Sequence, residues 1–106
     1  TVSRNYNKGI MTYLTKEVVN RGYTYYDWNV GSNDTGGDSN NSNKIYYNVI
    51  NNLSHDKTNI VLMHDSYGHD ATASALKRII SYGKKNNYTF KAITRDTPLV
   101  RHGVNN

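Results

Sequence analysis

Apolar residues fall into a few separated runs along this chain. From Lys8 to Arg21, Ile10, Tyr13, Leu14, Val18 and Val19 recur at helical spacing. "NRG" closes that segment, and Gly22 suits the left-handed position just past a helix end. The stretch "YTYYDWNV", residues 23–30, is aromatic and β-branched and predicts a strand. It runs into "GSNDTGGDSNNSN", a loop rich in Gly, Ser, Asn and Asp. Loops of this length in small domains are usually functional or disordered.

From Asn43 to Leu53, the residues Ile45, Val49, Ile50 and Leu53 predict a short amphipathic helix. "SHDKTN" reads as a turn, and Asn59 to Met63 as a short buried strand. A further helix is predicted from about Ala73 to Asn86. Leu76, Ile79, Ile80 and Gly83 would share its apolar face, with Thr72 as N-cap. "YTFKAI" reads as a last strand, and Pro98 argues against an ordinary central strand in the tail. The order is α-β-loop-α-β-α-β. Such alternation implies an α/β fold built from parallel βαβ units. No internal repeat or separable second domain is visible, so residues 1–106 read as one domain.

In parallel α/β proteins, ligands sit at the carboxyl ends of strands. Two polar segments fall there: "DWNVGSND" and "HDSYGHD". The second follows the apolar run "IVLM" directly. His64 at such a position is either a strand-end cap or a general acid or base, since imidazole titrates near neutral pH. The two His-Asp pairs, His64-Asp65 and His69-Asp70, also suggest a metal site. Their spacing is five across a glycine turn, and His55 and His102 are third-ligand candidates by residue type alone. A self-contained metal site is therefore not assigned. Ser66 lacks the Gly-x-Ser-x-Gly elbow of a serine hydrolase. "GSNDTGG" lacks the Lys-Ser/Thr of a phosphate-binding loop. Trp28 is either core or a sugar-stacking or acyl-pocket wall.

Composition narrows the classes. Only 36% of the 106 residues are hydrophobic, and the mean hydropathy is −0.80. Ten tyrosines against one phenylalanine suggest an amphipathic surface or cleft. The net charge of +5 suits acidic partners such as nucleic acid or an anionic cell wall. Its lysines and arginines are scattered, however, with Lys77-Arg78 and Lys84-Lys85 the adjacent pairs, which reads first as a solvated basic surface. No nucleic-acid-binding signature is present. The absence of cysteine excludes disulfides and thiolate metal sites. No stretch approaches the roughly 18 apolar residues of a membrane span. "TVSRNYNKGI" holds neither a signal peptide nor an initiator Met, so the chain is expected to begin inside something longer.

One family accounts for these features together. "NIVLMHDSYGHDATASALKRIISYGKKNNYTFKAIT" resembles the C-terminal part of the polysaccharide deacetylase (NodB-homology) family, carbohydrate esterase family 4. The family's Leu-x-His motif at a strand end matches Leu62-Met63-His64, and "YTYYDWNVGSNDTGG" resembles its preceding motif region. The resemblance implies metal-dependent hydrolysis of acetamide groups on N-acetylated polysaccharides, peptidoglycan or chitin-like, at a bacterial cell surface or outside it. It implies the C-terminal half of a distorted (β/α) barrel. His64 would be the general acid, Leu62 would line the acetyl-methyl pocket, and Trp28 would contact substrate.

The departures from the family are as informative. The Thr-Phe-Asp-Asp-Gly and His-x-x-x-His motifs that supply the base and the metal ligands, commonly to zinc, are absent. So is Arg-x-Pro; Arg4 is followed by Asn5 and Tyr6. Gly31 stands where the Asp that tunes the histidine is expected, which leaves Asp27, Asp34 or neither to orient His64. The chain is thus expected to carry an acid but no metal site, and to be inactive alone. It is expected to bind the missing N-terminal half or to self-associate. The alternative is a non-catalytic carbohydrate or cell-wall binding domain; a nucleic-acid module ranks below both.

Overall fold

A computed structural model of the chain describes residues 5–106; Arg4 lies outside them. The described residues form two compact units, one up to Asp27 together with Leu99–Asn106, the other Trp28–Pro98.

The first unit holds helix α1, Ile10–Asn20. Gly22 ends it in the left-handed conformation, φ +85°. The Gly22 amide donates to Val19 O at 3.0 Å and the Tyr23 amide to Val18 O at 3.1 Å. These paired bonds satisfy carbonyls that a helix end otherwise leaves free. At the other end, the Thr12 amide and hydroxyl both donate to Asn106 O, and the Gly9 amide donates to Asn106 Oδ1. The C-terminal segment therefore closes the first turn of α1. The apolar residues of the helix are not enclosed: none is buried, and Tyr13, Leu14 and Val19 are exposed.

The second unit is a βαβα chain: β1 (Val30–Gly31), α2 (Ser42–Ile50), β2 (Val61–Leu62) and α3 (Asp70–Lys85). The strands pair in parallel, Val30 with Val61 and Gly31 with Leu62. Asn29 lengthens the pairing through its carboxamide, which accepts from the Ile60 amide at 2.7 Å and donates to Thr58 O at 2.7 Å. Val30, Ile45, Val49, Ala75 and Ile79 form the core, with Val61 and Met63 packed against it. Side chains alternate across a strand. Val61 and Met63 thus face the core helices, while Leu62 and Gly31 face away from them.

The α/β class holds, with two parallel strands among the described residues. Several local expectations do not. Of "YTYYDWNV" only Val30 is in a strand, and "YTFKAI" is in none. A strand needs a run of amide–carbonyl bonds to a neighbour, and "YTYYDWNV" makes only isolated ones before Val30, from the Asp27 amide to Val100 O at 2.8 Å and from the Asn29 amide to Ile60 O at 3.1 Å. Phe90 instead lies over Gly83, where a Cβ on the glycine would collide with its ring. Helix α3 starts at Asp70, so Thr72 lies inside the first turn and His69 is the N-cap. Its buried face is Thr72, Ala75, Ile79 and Gly83; Leu76 turns outward. The loop after β1 is a series of ordered turns. Asp38 Oδ2 accepts from Asn33 and Asn48 at 3.1 and 3.0 Å, and the Asn41 side chain caps α2 through the Lys44 amide at 3.0 Å.

The core is small, so each member counts. Ile45 is fully buried, and truncating such a side chain costs about 2–5 kcal/mol. Ile45→Ala is expected to lower the urea midpoint accordingly with little change in slope, whereas exposed Ile93→Ala should leave it within about 0.5 kcal/mol.

Candidate active site

The loop after β1, the end of β2 and the first turn of α3 meet at one carboxylate. Asp34 is buried, with 2% of its surface exposed. Its Oδ2 accepts from the His64 backbone amide at 2.7 Å and from the Thr72 hydroxyl at 2.9 Å. Its Oδ1 lies 2.8 Å from His64 Nδ1. Burial by itself would raise the Asp34 carboxyl. The His64 ring and backbone bonds, then the Thr72 hydroxyl, outweigh it and hold the group down at about 2. An ionised carboxylate only accepts, so Nδ1 of His64 carries the proton. Nε2 is left for other work. The His64 side chain is 40% exposed, so that nitrogen belongs to a group solvent and ligands can reach.

A turn of 64–69 places the second histidine. Gly68 adopts φ +87°, which glycine tolerates without strain, and the His69 amide donates to Ser66 O at 3.2 Å. The His69 ring then stacks on that of His64, centroids 5.7 Å apart and planes 26° from parallel. Both rings line an open cleft of about 460 Å³ whose wall includes Met63, Ser66 and Leu76.

The other residues singled out from sequence separate. Asp27 is not the partner of His64: its Oδ2 accepts from the His102 amide at 2.7 Å, within the first unit. His55 stacks on Tyr88 at 4.0 Å. Among the described residues, no group of three or more His, Asp or Glu could hold a metal ion. Leu62 is in β2 beside Gly31; it is part-buried. Trp28 is 37% exposed, and a Cβ on Gly31 would stand 4.0 Å from its Nε1. Leu62, Gly31 and Trp28 therefore gather at one strand end, outside the lining of the cleft. The carboxylate expected at position 31 comes from Asp34, three residues on. Sequence reasoning took Thr72 for a cap and missed its hydroxyl as a third donor to Asp34. A Thr two positions past a helix start gives no signal for that; only packing of α3 brings it there.

Among solved structures, the chain is similar to the catalytic domain of a peptidoglycan N-acetylglucosamine deacetylase from Eubacterium rectale ATCC 33656. The TM-score is 0.89 and the identity 38%, over 100% of this chain and 47% of that one. The chain matches part of a polysaccharide deacetylase domain. It spans about half of that deacetylase structure. No family model matches the chain, and no curated protein does.

Asp34 ties acid stability to this site of the deacetylase-like fold. In the unfolded chain its carboxyl takes a proton near the ordinary 3.8; in the folded chain it resists until about 2. The difference contributes about 2 kcal/mol to stability at neutral pH. That contribution is full above about pH 5 and is lost as pH falls through about 4 to 2. Urea denaturation across this range should show the loss, and Asp34→Asn should remove this part of the slope. An unchanged slope in the variant would assign acid sensitivity to other groups.

Proposed function

We propose that this chain supplies the proton-donating part of a polysaccharide deacetylase, one that hydrolyses acetamide groups on N-acetylated sugars of peptidoglycan or a chitin-like polymer. The observation that carries this reading is the Asp34–His64 pair at a strand end, with the His64 side chain part-exposed in a cleft. His64, protonated at Nε2, would donate to the departing amine as the C–N bond breaks. Asp34 fixes the ring edge and balances the imidazolium. Leu62 would meet the acetyl methyl, and Trp28 would contact the sugar. On this reading residues 1–106 are one partial domain, the C-terminal half of a distorted (β/α) barrel, working at a bacterial surface or outside the cell.

The described residues do not fit a metal. No step is therefore routed through one, and water activation falls to residues outside this chain, as the absent family motifs imply. The isolated chain should then be inactive. Its exposed apolar face on α1 and short two-stranded sheet favour association with the other half of the domain or with itself. The alternative, a binding module without catalysis, has no observation of its own in its favour.

Two measurements test the reading. Acetate release from an N-acetylglucosamine oligomer is expected when residues 1–106 are joined to a deacetylase N-terminal half that carries the Thr-Phe-Asp-Asp-Gly and His-x-x-x-His motifs, and not from residues 1–106 alone, with or without added zinc. In the joined protein His64→Ala should lower kcat by about 10²–10⁴, the usual contribution of a general acid. Activity in the isolated chain, or an unaffected His64→Ala, would reject the division of labour proposed. Light scattering on residues 1–106 at rising concentration should show growth beyond the monomer.

A further inference from the structure

His69 occupies the N-cap of α3 and does not cap it: its side chain makes no hydrogen bond to the first-turn amides. That position favours Asn, Asp, Ser or Thr, whose short side chains do make that bond. The ring is not a core residue either, being only part-buried. Its Nδ1 is buried without a hydrogen-bond partner, a cost that a polar side chain ordinarily avoids. Local structure thus gives no reason for an imidazole here. What the ring does lie beside is the His64 ring, offset and near-parallel, with centroids 5.7 Å apart and planes 26° from parallel.

We propose that His69 is a positioning residue for His64. Asp34 grips one edge of the His64 ring through Nδ1. That bond restrains rotation of the ring about Cβ–Cγ only within the angular latitude of one hydrogen bond. The offset, near-parallel His69 ring beside it narrows that latitude, so Nε2 keeps one direction into the cleft that both rings line. The contact acts through ring shape rather than through an imidazole proton. A better N-cap would stabilise α3 and lose the aim of the acid, the kind of local rule that functional sites break. This inference rests on the reading of His64 as the general acid.

The test uses this chain joined to the deacetylase N-terminal half described above, with His69→Asn and His69→Phe. Asn supplies the missing cap and no ring, so His69→Asn should melt no lower than wild type. It should nevertheless lower kcat about tenfold or more with KM within about twofold, since a misaimed reacting group costs rate rather than binding. Phe restores the ring, so His69→Phe should recover kcat to within about threefold of wild type. Side-chain NMR relaxation of His64 reads the same idea without activity: one ring orientation in wild type and His69→Phe, averaging in His69→Asn. A His64 ring as ordered in His69→Asn as in wild type overturns the proposal, and so does a Phe variant as mobile as the Asn one. Should wild type release no acetate, the deacetylase reading fails by itself, and the NMR comparison alone decides whether His69 holds the ring.

Discussion

The buried carboxylate of Asp34 is the point on which the second unit turns. A charge out of water costs several kcal/mol unless donors replace its hydration. Here the His64 amide, the His64 ring and the Thr72 hydroxyl do so. Each donor comes from a segment that must be in place for the bond to exist. The loop after β1 must carry Asp34 inward, β2 must end where His64 begins, and α3 must start early enough to bring Thr72 round. Removing any one leaves an under-compensated charge in a dry place, which is far costlier than the loss of a surface pair. The three segments are therefore coupled.

A second, outer network keeps Asp34 from being drawn back to solvent. Asp38 accepts from Asn33 and Asn48, and Lys44 lies 3.6 Å from it. Asn48 also donates to Ser32 O at 3.0 Å, while the Ser32 hydroxyl donates to Leu62 O at 2.8 Å. The loop is thus stitched to α2 on one side and to β2 on the other. Asparagine supplies much of this stitching, because its carboxamide both donates and accepts. The sequence's Asn-rich loop looks structureless and is in fact a scaffold for one acid.

Rigidity at this place suits the chemistry proposed for it. A general acid is effective when its proton points at the departing atom before the bond breaks, with no reorganisation left to do. A carboxylate that binds both the backbone and the ring of one histidine aligns the residue at two points. The His69 ring lies beside it, offset and near-parallel. The cleft beside them is open, which suits the polymer substrate proposed for it.

Helices were legible along this chain because their signals are local. Apolar spacing placed α1, α2 and α3 to within a few residues, and Gly22 ended α1 as its type implied. The strand before His64 was legible for the same reason, as was the likeness to a deacetylase, carried by short ordered motifs. Strands without a partner were misread, because a β-prone composition does not by itself provide the neighbour that a ladder requires. Sequence also left Asp27 and Asp34 as equals. Tertiary structure decided between them: Asp34 reaches His64 across 30 residues of chain, while Asp27 binds the His102 amide across 75. The residue types that could do the chemistry are determined by sequence alone. Which of them meet depends on how β1, β2 and α3 pack, because hydrogen bonds between distant residues exist only once the segments carrying them are side by side.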